Sequence, residues 1–182
     1  MDEYCTSLAP HRMFHVSERG NIEVFVPRIP DRAWVDIRHP VVWAVDAQHL
    51  VNYLLPRDCP RVAYRATSAT TKSDRAYFLP GGSTHVLAIE FGWYERVTRA
   101  SLWVYEFPPG TFSCVDETAG YYVSAESQQP LHVTRLSQPI DTLLAQGVTL
   151  RVMPSLQALA KSIASSSLAF SCIRMRNACD AS

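Results

Sequence analysis

Apolar and polar positions along this chain of 182 residues fall mostly into the period-two pattern of strands, with helical spacing confined to short stretches. Met13-Phe14-His15-Val16-Ser17 is the first apolar run, and Glu18-Arg19-Gly20-Asn21 closes it as a turn. Ile22, Val24 and Val26 alternate and predict a second extended piece. Pro27, Pro30 and Pro40 then punctuate an arginine-bearing loop expected on the surface. Five consecutive apolar residues, Val41 to Val45, predict a buried strand. Asp46 follows as an N-cap for a short helix carrying Leu50, Tyr53 and Leu54, which Pro56 stops. Residues 61–66 alternate as a strand with one wet face, and 67–79 read as a loop and a short helix holding Tyr77 and Phe78. Gly81-Gly82 is a turn.

The second half is strand-rich. Strands are predicted over 85–89, 102–107, 111–115, 120–124 and 131–136, with a helical turn at 91–97 and a sharp turn at Pro108-Pro109-Gly110. Trp103, Tyr105 and Phe107 share one strand face. Ile140, Leu143 and Leu144 form a helix stripe that Gly147 ends. A strand at 148–153 and a helix with Leu156, Leu159, Ala160 and Ile163 follow. The pattern predicts a single α+β domain with mixed, mostly antiparallel sheets and short helices. Residues 1–12 read as a flexible N-terminus, and 139–182 as a C-terminal helix–strand–helix extension packed on the core.

Composition narrows the function classes. A hydrophobic fraction of 47% suffices for one core. Seventeen basic residues balance seventeen acidic ones, so no global basic field draws nucleic acid or an anionic membrane. The cations are nearly all arginine, since only Lys72 and Lys161 are lysines, and arginine forks suit phosphate or carboxylate where several converge. Neither a membrane-spanning apolar run nor a signal-peptide pattern is present, so a cytosolic location is expected. Cys5, Cys59, Cys114, Cys172 and Cys179 form no C-x-x-C pair and read as reduced thiols, without a zinc site. The motifs of P-loop, Rossmann, zincin and α/β-hydrolase enzymes are missing, and His39 and His49 lack metal-site spacing.

Four groups of residues could carry chemistry. His15 and Ser17 share a strand face and either satisfy a core or hydrogen-bond a ligand. Asp116-Glu117 is either an exposed acidic turn or a carboxylate at a cleft edge. Arg57 and Arg61 flank Asp58-Cys59-Pro60 as a structural loop or an anion clamp, and with Arg65 they could mark an RNA-phosphate site. Arg174-Met175-Arg176-Asn177 reads as a solvated tail. Trp93, Trp103, Tyr105, Tyr121 and Tyr122 read as core or as a stacking platform.

Phe14-His15-Val16-Ser17, Val42-Trp43-Ala44-Val45-Asp46, Leu55-Pro56-Arg57-Asp58-Cys59-Pro60-Arg61-Val62 and Ala119-Gly120-Tyr121-Tyr122-Val123-Ser124 resemble an uncharacterised bacterial family of unknown function, over nearly the whole chain. The order of segments is also similar to the ADP-ribosyltransferase-like fold of the small rifampin-modifying ADP-ribosyltransferases and the tRNA phosphotransferases. Phe14-His15-Val16-Ser17 stands at its aromatic-His-x-[Ser/Thr] strand, Trp43 to Leu55 at its second strand and helix, and Val104-Tyr105-Glu106-Phe107-Pro108 at a later strand. Asp116-Glu117 stands at its acidic loop, and Tyr121-Tyr122-Val123-Ser124 and Pro130-Leu131-His132-Val133 at its last strands. That resemblance implies a nucleotide-type ligand, NAD, with no metal. It gives His15 and Ser17 to the ribose and amide and Trp43 to the place where a tyrosine is common; Tyr121 and Tyr122, and Arg57 and Arg61 as an anion clamp, are the further cofactor-binding candidates. Asp116 or Glu117 would stabilise an oxocarbenium-like transition state. A relative that keeps the cleft but not the chemistry, binding a nucleotide or a protein partner, is the alternative.

Overall fold

The structure, a computed structural model, describes residues 12–30 and 37–180. The expected flexible terminus up to residue 11 and the middle of the arginine-bearing loop, 31–36, lie outside the described residues. In chain order the elements are β1 (Met13–Ser17), β2 (Val42–Asp46), β3 (Arg61–Arg65), α1 (Lys72–Phe78), β4 (His85–Glu90), α2 (Phe91–Thr98) and β5 (Leu102–Phe107). These are followed by β6 (Ser113–Asp116), β7 (Tyr121–Ser124), β8 (His132–Leu136), α3 (Pro139–Ala145), β9 (Thr149–Met153), α4 (Gln157–Ile163) and β10 (Ala169–Ile173).

The strands form two sheets of a single α+β domain. The first is antiparallel throughout, in the order β6-β7-β2-β1-β5-β8. The second runs β10-β3-β4-β9, with β4 and β9 its parallel pair. The C-terminal part is thus built into the domain rather than laid on it, because β9 and β10 are the two edges of the second sheet. Among the described residues no helix is long and apolar enough to cross a membrane.

Side-chain alternation assigns the faces. The pairings Met13↔Phe107, His15↔Tyr105 and Ser17↔Trp103 put these six residues on one face of the first sheet. A strap formed by residues 18–30 covers that face. Phe25 packs edge-on against Tyr105 and Phe107, each with ring centroids 5.0 Å away. The Tyr105 hydroxyl donates to Arg19 O at 2.7 Å and accepts from Ile22 N at 3.2 Å. The expected extended piece at 22–26 lies in this strap, which two isolated bridges, Phe25↔Gln128 and Arg28↔Val41, join to the sheet region.

The opposite face, with Val16, Val104 and Leu136, meets Ala63, Leu87 and Ile89 of the second sheet across the main core, to which α2 and α3 add Val97 and Leu143. The far face of the second sheet buries Val62, Tyr64, Val86 and Ala88 beneath α1 and α4. Strand β3 is therefore covered on both sides. Its expected wet face (Arg61, Ala63, Arg65) points into the space between the sheets, and Arg61 is only 3% exposed.

The connector from β2 to β3 forms a 3-10 turn at Leu50–Tyr53 in place of the expected α-helix. Asp46 holds its start as an Asx-type turn, accepting from His49 N at 2.8 Å. Gly120, at φ +69°, lets β7 begin directly against His49, and a Cβ there would fall on the imidazole. Gly120→Ala therefore combines left-handed strain with a steric clash. It is expected to cost on the order of 2–3 kcal/mol in urea unfolding, and a loss below about 0.5 kcal/mol would refute this packing account.

Candidate functional site

The two sheets enclose an apolar core on their β5/β8–β4/β9 side and a polar seam on their β2/β7–β3/β10 side. Arg61 lies at the bottom of the seam. Its Nε donates to Asn52 O at 2.9 Å, and Nη1 donates to Pro56 O at 3.1 Å and Cys59 O at 2.8 Å. Burial pulls its pKa down. No carboxylate forms an ion pair with it among the described residues, so three carbonyl dipoles hold the charge. Its guanidinium also lies 5.7 Å from the centre of the Tyr53 ring.

Above Arg61, Tyr53 sits against Tyr121, with ring centroids 5.8 Å apart, and Tyr121 sits edge-on to Trp43 at 5.7 Å. Burial raises the pKa of both phenols, and Asp116 adds to that effect. The C-terminal turn closes over the connector, where Asn177 Nδ2 donates to Asp58 O at 2.7 Å. That contact brings Arg174 and Arg176 to the edge where Arg57 is exposed. Burial, then Arg57 and Arg176, lower the Arg174 pKa. Arg174 is the one non-glycine residue at positive φ (54°) among the described residues. Arg57, Arg174 and Arg176 form no ion pair among the described residues.

A hydrogen-bonded relay borders the seam. His49 Nδ1 donates to Asp46 Oδ1 at 2.8 Å, and Arg65 Nη2 donates to His49 Nε2 at 3.3 Å. With these partners Nδ1 donates and Nε2 accepts. Gln48, with its amide oriented to satisfy both groups, accepts from the Arg65 guanidinium. His85, paired with Arg65 across β3 and β4, donates from Nε2 to Asn52 Oδ1 at 2.9 Å. Burial, reinforced by Arg65 and His49, lowers the His85 pKa to about 4. Burial raises the Asp46 pKa, but the bonds from His49 outweigh it and leave the net shift downward. In sequence Asp46 has the position of a cap, and His49 lacks metal-site spacing. The i,i+3 Asp–His spacing before a turn was the available signal.

The residues singled out from sequence are dispersed. His15 lies under the strap against Phe25 (4.9 Å), and its Nδ1 donates to Trp43 O at 2.9 Å, where β1 and β2 part beyond Phe14 and Val45. Burial lowers its pKa. The Ser17 hydroxyl accepts from Arg19 N at 3.0 Å in a local turn. Asp116 pairs with Tyr121, which pairs with Val45, which pairs with Phe14, so Asp116 takes the face opposite His15. The order β6-β7-β2-β1 sets three strand spacings between them, roughly 14 Å. Asp116 Oδ1 accepts from Ala119 N at 2.9 Å, and Glu117 is exposed in the same turn. Tyr122 lies on the His15 face, and Trp43 and Tyr121 lie on the seam face. His15 and the acidic pair are therefore not gathered around one ligand, whereas Trp43, Tyr121, Arg57 and Arg61 border the seam.

Among the described residues no group of three or more His, Cys, Asp or Glu side chains could hold a metal ion. Cavities of about 470 Å³, beside Val24, Thr111, Gln128 and Leu131, and about 390 Å³, beside α1, lie away from the seam.

Residues 14–178 match the Family of unknown function (DUF6886). The chain belongs to this family. No curated protein and no solved structure matches it. The stretch matched to DUF6886 contains the whole seam, from Trp43 to Asn177, with Arg57, Arg61, Arg65, Arg174 and Arg176.

Two outcomes follow for the seam. Arg61→Met strands three carbonyls in the interior and is expected to cost on the order of 3 kcal/mol in urea unfolding, with Arg61→Lys between it and wild type. Equal stability of Arg61→Met and wild type would show that the carbonyls find other partners. His85 stays neutral in the folded chain down to about pH 4. The unfolded chain takes up its proton near pH 6.5, so it binds more protons in that window and stability falls as pH drops through it. His85→Gln is expected to flatten the dependence of the urea midpoint on pH between 6.5 and 4.5. Parallel curves would remove His85 from the acid response.

Proposed function

We propose that this member of DUF6886 is a binding domain for a small phosphate-bearing ligand of nucleotide type, taken at the mouth of the polar seam without chemistry of its own. The observation that carries this reading is the gathering of Arg57, Arg174 and Arg176 on the Asp58–Asn177 contact, with no ion-paired carboxylate among the described residues. Like charges packed together repel, and a dianionic phosphate relieves that repulsion while accepting several guanidinium hydrogen bonds at once. The buried Arg61 charge below the Tyr53–Tyr121 pair adds positive potential to the seam.

Two further observations favour binding over ADP-ribosyl transfer. Transfer from NAD needs a ribose-gripping histidine and an acid at one anomeric carbon, and His15 and Asp116 stand on opposite sheet faces. His15 is also committed to Trp43 O, and Asp116 to Ala119 N. The balanced net charge argues for a small ligand over an RNA backbone.

Thermal and chemical denaturation with ADP and with NAD provides the test. Ligand at about 100 times its dissociation constant is expected to add roughly 2.7 kcal/mol of stability. Arg174→Gln should weaken binding about tenfold or more, equivalent to about 1.4 kcal/mol. Asp116→Asn should bind as wild type, with no nicotinamide released from NAD by either protein. Nicotinamide release that His15→Ala abolishes would replace this reading with a transferase. Failure of both ligands to stabilise the chain would end it.

A further inference from the structure

The cavity of about 390 Å³ beside α1 is built unlike the seam and lies on the far face of the second sheet. Lys72 and Arg75 line it, one helical turn apart on the same side of α1. Both are exposed, and neither forms an ion pair among the described residues. The carboxylate between them in sequence, Asp74, is engaged elsewhere, accepting from Ser167 N at 2.7 Å and Ser167 Oγ at 2.5 Å. Lys72 sits in the first helical turn, where a cation opposes the helix dipole, so helix stability does not account for it.

The other wall is backbone. Gly81 and Gly82 are consecutive residues at φ +70° and +80°, and a Cβ on either would meet nothing within 4 Å. Glycine takes this conformation without strain, and with no side chain on either residue this stretch of wall is main chain. Ser83 continues the wall, and its hydroxyl is oriented by Thr149 Oγ1 at 2.9 Å. Ala76 and Leu79 supply an apolar flank. Two unpaired cations, a side-chain-free turn and an oriented hydroxyl complement a tetrahedral dianion, and the apolar flank complements a carbon substituent upon it.

We infer that the Lys72–Arg75 and Gly81-Gly82-Ser83 walls form a second binding site, for a small phosphomonoester, separate from the seam and independent of what the seam binds.

The probes are inorganic phosphate and phenyl phosphate, titrated at constant ionic strength and read by NMR from the amides of Gly81, Gly82 and Ser83, which report this site and not the seam. Saturable shifts are expected with both, tighter for phenyl phosphate because of the apolar flank. Lys72→Gln/Arg75→Gln should weaken phenyl phosphate at least tenfold. Lys161→Gln, which removes the other lysine from α4, should leave it unchanged. Both sets of substitutions are at exposed positions, so a folded spectrum is expected from each. Absence of saturable shifts in the wild type, equal affinity in the double variant, or the same shifts from chloride alone would each overturn the inference.

Discussion

A cation is sealed between two sheets with main-chain carbonyls and the Tyr53 ring for company, and much of this molecule is arranged to keep it there. Arg61 holds the carbonyls of Asn52, Pro56 and Cys59, so the connector between β2 and β3 coils around a guanidinium rather than around a hydrophobic plug. A buried charge is tolerated only when its hydrogen-bonding capacity is met. The connector cannot move without exposing that charge to an unmet interior. Its fixed position sets Tyr53 against Tyr121 and puts Leu54, Leu55 and Cys59 into the inter-sheet core. The same coil presents the Asp58 carbonyl to Asn177, which locates Arg174 and Arg176. The mouth of the seam is thus a consequence of how the buried cation is satisfied.

The seam also couples the sheets through a second polar contact. Asp46 ends β2 in the first sheet, Arg65 ends β3 in the second, and His49 spans them with one nitrogen toward each. Because Gly120 has no side chain, β7 lies directly on that imidazole. An apolar core resists separation of the layers but is indifferent to small sliding motions. Directional bonds at Asp46, His49 and Arg65 oppose sliding.

Most strands were legible from short apolar runs and alternation, which report burial of a face whatever strand lies beside it. Met13–Ser17, His85–Glu90 and Leu102–Phe107 are cases. What was illegible came from two sources. Strand β10 has the mixed composition Ala-Phe-Ser-Cys-Ile, and its place on the edge beside β3 depends on a pairing across about a hundred residues. Arg61 and Arg65 looked like the wet face of β3 because alternation reports polarity, not what lies opposite. The polar face was turned toward another sheet, and only tertiary structure supplies that.

The candidate site illustrates the same limit at the level of chemistry. Segment order placed His15, Trp43 and Asp116 in a plausible series, but side-chain direction changes with each residue of a strand. Trp43 and Asp116 share a face that His15 does not, and the two ladders between β1 and β7 leave no register in which it could. Local charge was equally hidden by the overall balance of seventeen against seventeen. Acids such as Glu106, Asp46 and Asp74 are drawn to partners elsewhere, on Arg12, His49 and Ser167. Arg57, Arg174 and Arg176 meet at one edge without an ion pair among the described residues, with Asp58 beside Arg174. Overall charge balance therefore says nothing about where cations meet, because pairing is decided by the fold.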